Sequence, residues 1–136
     1  MPATTWTVKP DDDPDNPGHG RVFGTITVYR VVRNWPAKPS DFEVDAVRRP
    51  AFQGESDTRL NSMSTLDDRE AAFDLARVQA TYKKNRGRPL GVTRLDLTLR
   101  RGGDIILCWT DREGNHFDLY GPTMTLLGLA QPIGTV

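Results

Sequence analysis

Arg30, Ser62, Ser64, His116 and Tyr120 are the residues of this chain whose types and placement suit the capture of an anion. Arg30 falls in the run from Val22 to Val32, rich in β-branched and aromatic residues, where Ile26, Val28 and Val32 share its face. A guanidinium on an apolar strand face needs a partner, a cleft, or a route to water along its own stem. Ser62 and Ser64 stand at the end of a short strand, just before a helix whose first N–H groups are free to donate. His116 opens a late strand and Tyr120 closes it. The expected site is therefore a concave pocket of Arg30, Ser62, Ser64 and the first turn of that helix, with His116 and Tyr120 at its edge. The competing arrangement pairs Arg30 internally with Asp67, Asp68 or Glu70, which leaves a structural salt bridge and no vacancy.

Other chemistry-bearing residues point to structure before function. His19 and His116 have no second ligand at metal spacing, so no zinc site is expected. His116 beside Asp118 has the types of an acid–base pair, but a satisfied surface or cleft histidine is the expected reading. Cys108 alternates within an apolar strand and reads as a buried, quiet thiol. The aspartates from Asp11 to Asp15 lack the Gly and Glu that a calcium loop requires, since Asn16 and Val22 stand at those places. Lys83-Lys84-Asn85-Arg86-Gly87-Arg88 is a basic run whose plain reading is a solvated helix end. Trp6, Trp35 and Trp109 read as core or rim anchors.

The elements that must position these groups follow from patterning. Residues 1–20 form an acidic, Pro-rich leader, expected to be extended or mobile, and 21–136 form one domain. Two prolines break the chain after Asn34. Ser40-Asp41-Phe42-Glu43 then offers a capping box for a short helix ending near Arg49, and 48–57 reads as loop. The central helix is expected from Asp68 to Lys84, capped by Asp67 with Glu70, or by Thr65 with Asp68. Ala71, Leu75, Val78 and Tyr82 form its apolar stripe, with Leu75 fully buried; Ala72 and Ala76 allow close packing on a sheet, and Gly87 stops it. A meander follows through Thr93–Arg100, Ile105–Thr110 and His116–Tyr120; Thr123–Ala130 fits a helix or a last strand. The fold class is α+β, a mainly antiparallel sheet of about five strands with one long and one short helix.

Composition narrows the function classes. The 136 residues carry 18 basic and 18 acidic side chains, a balance that argues against a nucleic-acid partner or an anionic membrane surface. One cysteine precludes an internal disulfide, and no apolar run is long enough for a membrane helix. A cytoplasmic protein is the expectation.

Tyr29-Arg30-Val31-Val32, Trp35-Pro36, Asp41-Phe42, the Ser62–Ala72 turn and His116-Phe117-Asp118-Leu119-Tyr120-Gly121 resemble a group of small bacterial proteins of unassigned function. The order strand-Arg, short helix, serine strand, helix, meander also resembles the ADP-ribosyltransferase fold and its Arg-Glu-Ser toxins. That resemblance implies Arg30 on dinucleotide phosphates and Ser62 or Ser64 ordering the site. The Glu-x-Glu pair is absent, leaving Asp111, Glu113 and Asp118. The leading expectation is a non-catalytic binding or interaction module, an accessory or conflict-system component, for a small anionic ligand or protein partner and without a cofactor. The alternative is a transferase or glycohydrolase of the ADP-ribosyltransferase type, for which the cofactor is NAD. An acid close to Arg30 and the serines discriminates between them.

Overall fold

The strand carrying Arg30 is the one to which the rest of the sheet refers. A computed structural model describes residues 5–10, 20–43, 63–109 and 116–136. In chain order the strands are β1 (Thr5–Pro10), β2 (Gly20–Val32), β3 (Met63–Leu66), β4 (Gly91–Leu99), β5 (Ile106–Trp109), β6 (His116–Tyr120) and β7 (Gln131–Thr135). Helix α1 is Arg69–Ala80 and α2 is Thr123–Leu129; short 3-10 turns occupy Pro39–Phe42 and Lys83–Asn85. The architecture is α+β, with every described strand pairing antiparallel.

The sheet runs in the order β3-β6-β5-β2-β4-β7, with β1 also on β2. A further pairing of Tyr29 with Leu66 returns β3 to β2, so β2, β5, β6 and β3 form a closed circuit. Two strands exceed the expected five. Thr5–Pro10, within the expected leader, pairs with Gly20–Thr25. Gln131–Thr135 adds an outer strand to β4 beyond α2, which resolves Thr123–Ala130 as helix. The Asp11–Asp15 cluster and the 48–57 loop lie outside the described residues.

Alternation divides the sheet into two apolar faces. Ile26, Val28, Val32, Leu95, Leu97, Leu99, Leu107, Phe117 and Leu119 build the larger core, closed by Phe42 and by Leu126 of α2. Thr123 Oγ1 donates to the Phe42 carbonyl at 2.9 Å, fastening α2 to the 3-10 turn. On the other face α1 packs against β2, β3 and β4.

That helix buries Ala72 and Ala76 as expected, but its larger buried side chain differs from the expected stripe. Ala72, Phe73 and Ala76 are buried, Ala71 and Leu75 are half-buried, and Val78 and Tyr82 are exposed. Small Ala72 and Ala76 let the backbone approach the sheet, while Phe73 fills the space beside Leu66 and Val92. A Cβ at Gly134 of β7 would stand 3.2 Å from the Phe73 ring, so glycine makes room for it. Arg69 and Arg77, one turn to either side, set their guanidiniums 5.0 and 6.0 Å from that ring.

Both helix ends also correct the expectation. Asp68 caps, accepting from the Ala71 N–H at 3.2 Å; Asp67 does not, and Thr65 instead donates to the Phe117 carbonyl at 3.0 Å. The helix ends at Ala80 because its last carbonyls are taken early. Thr81 Oγ1 donates to Val78 O at 2.6 Å and buried Asn85 donates Nδ2 to Gln79 O at 2.8 Å. Gly87, with φ of 78°, turns the chain seven residues beyond that end.

Candidate functional site

Arg30 is buried, as its face demands, and two of its bonds go to main chain. Nε donates to the Asp41 carbonyl at 2.6 Å and Nη1 to the Ser64 carbonyl at 2.8 Å. The neighbouring Thr93 donates Oγ1 to the carbonyl of Arg30 itself at 3.2 Å. A planar fork suits two separated carbonyls better than an ammonium does. Arg30 thus joins the 3-10 turn to β3 across the core.

The expected site residues divide between the faces of the sheet. Leu66 is paired with Tyr29, so Ser64, two residues before Leu66, projects opposite to Arg30. The contact between Arg30 and Ser64 therefore runs through a carbonyl, while the serine side chain is exposed on the other face. Ser62 lies outside the described residues. In register, Ser64 neighbours Asp118 and Asp118 neighbours Cys108, so the three share one face. His116 and Tyr120 flank Asp118 on it. His116 Nδ1 stands 3.8 Å from Asp118 Oδ1, an ion-pair distance for a protonated ring but too long for a hydrogen bond. Of the late acids, Asp118 adjoins Ser64 and not the Arg30 guanidinium; Glu113 lies outside the described residues. No group of three His, Cys, Asp or Glu among the described residues could hold a metal ion.

The first turn of α1 receives its negative charge from the chain itself. Asp68 takes the Ala71 N–H, and Asp67 stands beside it. Partial desolvation pushes the Asp67 carboxyl up; its own main-chain hydrogen bond opposes this, and the charge of Asp68 adds to it. An external anion there would meet two carboxylates.

A second arrangement lies where the sequence reading expected only a loop and a solvated run. After β2 the chain enters Arg33-Asn34-Trp35-Pro36-Ala37-Lys38, held by one buried carboxylate. Asp41 accepts from the Arg33 N–H at 2.8 Å, the Lys38 N–H at 2.8 Å and Asn34 Nδ2 at 3.2 Å. The expected capping box at Ser40 is displaced: Lys38 is the N-cap, and Asp41 reaches back to its N–H. With its carboxylate spent on this loop and its carbonyl on Arg30, Asp41 couples the core to the surface.

Facing the loop is the segment Gly87-Arg88-Pro89, delivered by the positive-φ turn at Gly87. Between the two lies an open groove of about 300 Å³, lined by Arg33, Asn34, Trp35, Lys38 and that segment. Trp35 is half-buried, and a Cβ at Gly91 would collide with its ring, so the indole rests on bare β4 backbone. Lys38 and Arg88 are exposed, and neither side chain has an ion-pair partner among the described residues. The sequence signal was present in two pieces, a basic run and a Trp-Pro loop with Lys38. Nothing in their spacing, about 50 positions apart, says that they meet. Comparison with family models, curated proteins and solved structures finds no match to this chain.

Proposed function

We propose that this protein is a non-catalytic binding module for a small anionic ligand, and that the ligand seats in the groove between 33–38 and 87–89. One observation carries this reading. Lys38 and Arg88 converge on a common cavity from separate segments with no acid among the described residues to answer them, while the Asp41 carboxylate fixes one wall. Unanswered cations on a built wall attract anions with little cost of ordering that wall. The pocket expected around Arg30 draws no such support, because the Arg30 bonds at 2.6 and 2.8 Å hold the chain together. The NAD-using alternative needs Arg30 and a serine side chain on one ligand, and the Ser64 side chain projects from the face opposite to Arg30.

Inorganic pyrophosphate is the probe. Titration calorimetry should show binding to the wild-type chain and a loss of tenfold or more in affinity, about 1.4 kcal/mol, for Lys38→Ala and Arg88→Ala. Both variants should keep the wild-type melting temperature, since neither side chain supports the fold. No binding to the wild type, or equal binding to the variants, overturns the proposal.

A further inference from the structure

Resting on the anion reading, we infer that the ligand is a nucleoside diphosphate whose base stacks on Trp35. Two features of the groove go beyond simple attraction of charge. The first is the position of the ring. Gly91 has no side chain to prop the indole away from β4, and any Cβ there would strike it, so the indole is seated against main chain and lines the groove from that seat. Its place is thus fixed before any ligand arrives. A fixed aromatic surface is a stacking platform, and every nucleobase offers a face to it.

The second is the distribution of charge around that platform. Lys38 lies three residues from Trp35 on a loop clamped by Asp41, and Arg88 enters from the facing segment. An ammonium and a guanidinium on two walls suit two linked phosphates better than one carboxylate. The cavity, about 300 Å³, stands at the small end of ligand sites. The anion is therefore expected to carry one planar ring.

Calorimetry with ADP, ribose 5-phosphate and inorganic pyrophosphate tests this on the full chain. ADP should bind the wild type at least tenfold more tightly than either of the others. Trp35→Leu should abolish that advantage, so that ADP and pyrophosphate bind the variant equally. Trp35→Phe, which keeps a ring, should retain most of it, and melting curves confirm that both variants are folded. If either variant fails to fold, quenching of indole fluorescence by ADP but not by pyrophosphate in the wild type supplies the readout. ADP binding no tighter than pyrophosphate refutes the base contact while leaving the anion reading intact. An ADP advantage that survives Trp35→Leu also refutes it, because the base then sits elsewhere. Failure of all three probes removes the anion reading itself.

Discussion

Arg30 and the pair Lys38 and Arg88 are cations within reach of the same loop, yet they occupy opposite chemical situations. Arg30 is 6% exposed and spends two donors on carbonyls of the chain. Lys38 and Arg88 stand in an open groove and have no acid partner among the described residues. The link between them is Asp41, whose carbonyl takes Arg30 and whose carboxylate takes the loop. Residue type alone does not mark a binding group. A cation on an apolar strand was the stronger signal in the sequence, and it became a structural cross-tie. The weaker signal, a solvated basic run, contributes to the wall of a cavity.

The largest effect expected from this contrast is on stability, at Arg30. Arg30→Met leaves two carbonyls without the donor they have here and should cost about 3–6 kcal/mol, since bonds to charged donors contribute roughly 1.5–3 kcal/mol each. Arg30→Lys should recover only part, because one ammonium cannot span two separated carbonyls. Urea unfolding measures both. If Arg30→Met keeps its midpoint and loses only ligand binding, Arg30 belongs to a site after all and the contrast collapses.

Asp41→Ala comes next, at about 2–4 kcal/mol, through two main-chain N–H groups and one amide left without their acceptor. It should also weaken pyrophosphate binding, because the wall bearing Lys38 loses its clamp. Such a double effect is what separates Asp41 from both cation classes. A stability loss with full affinity would mean that the groove does not depend on the order of this loop.

How far the sequence reached can be argued from particular elements. Clean alternation at Leu95, Leu97 and Leu99 placed β4 and its inward face correctly, because a strand with one buried side has little freedom of register. The α+β class followed from such runs. The face of α1 followed only in part: Ala72 and Ala76 pack on the sheet as expected, but Ala71, Leu75, Val78 and Tyr82 obey helical spacing as well as Phe73 does. The choice was made by tertiary fit, since Phe73 could enter only where Gly134 left space. That space belongs to β7, a strand carrying Pro132 and Gly134, two residues that local propensity counts against strands. Arg30 was expected to reach water, an external anion or a carboxylate, and it is instead buried on main chain. What escaped was that carbonyls, invisible in a sequence of side chains, answer it. The groove was illegible for a different reason, since its walls meet only through the packing of β2 beside β4.

Asp96 supplies the exposed but satisfied case between the two extremes, and here the smallest effect is expected. Its carboxylate accepts from Thr27 Oγ1 at 2.6 Å, Arg94 Nε at 3.0 Å and Gln131 Nε2 at 3.3 Å. The Thr27 hydroxyl is the main cause that lowers its pKa; desolvation opposes it, and the Arg94 bond and charge and the Gln131 bond add to the lowering. A folded value below the unfolded one gives stabilisation that is present above the unfolded pKa and is lost as pH falls through the folded value. With both side chains of the Arg94–Asp96 pair near half exposed, solvent screening keeps the contribution small. Asp96→Asn should therefore cost about 0–1 kcal/mol. Carboxyl-carbon NMR through the acid range reads the titration directly, and a midpoint above the ordinary aspartate value would show that these donors do not hold the charged form. Arg94 is thus the control for Lys38 and Arg88: with its charge already answered, Arg94→Ala should leave pyrophosphate affinity unchanged. A loss there equal to that of Lys38→Ala would mean that the titration reads overall surface charge and not the groove.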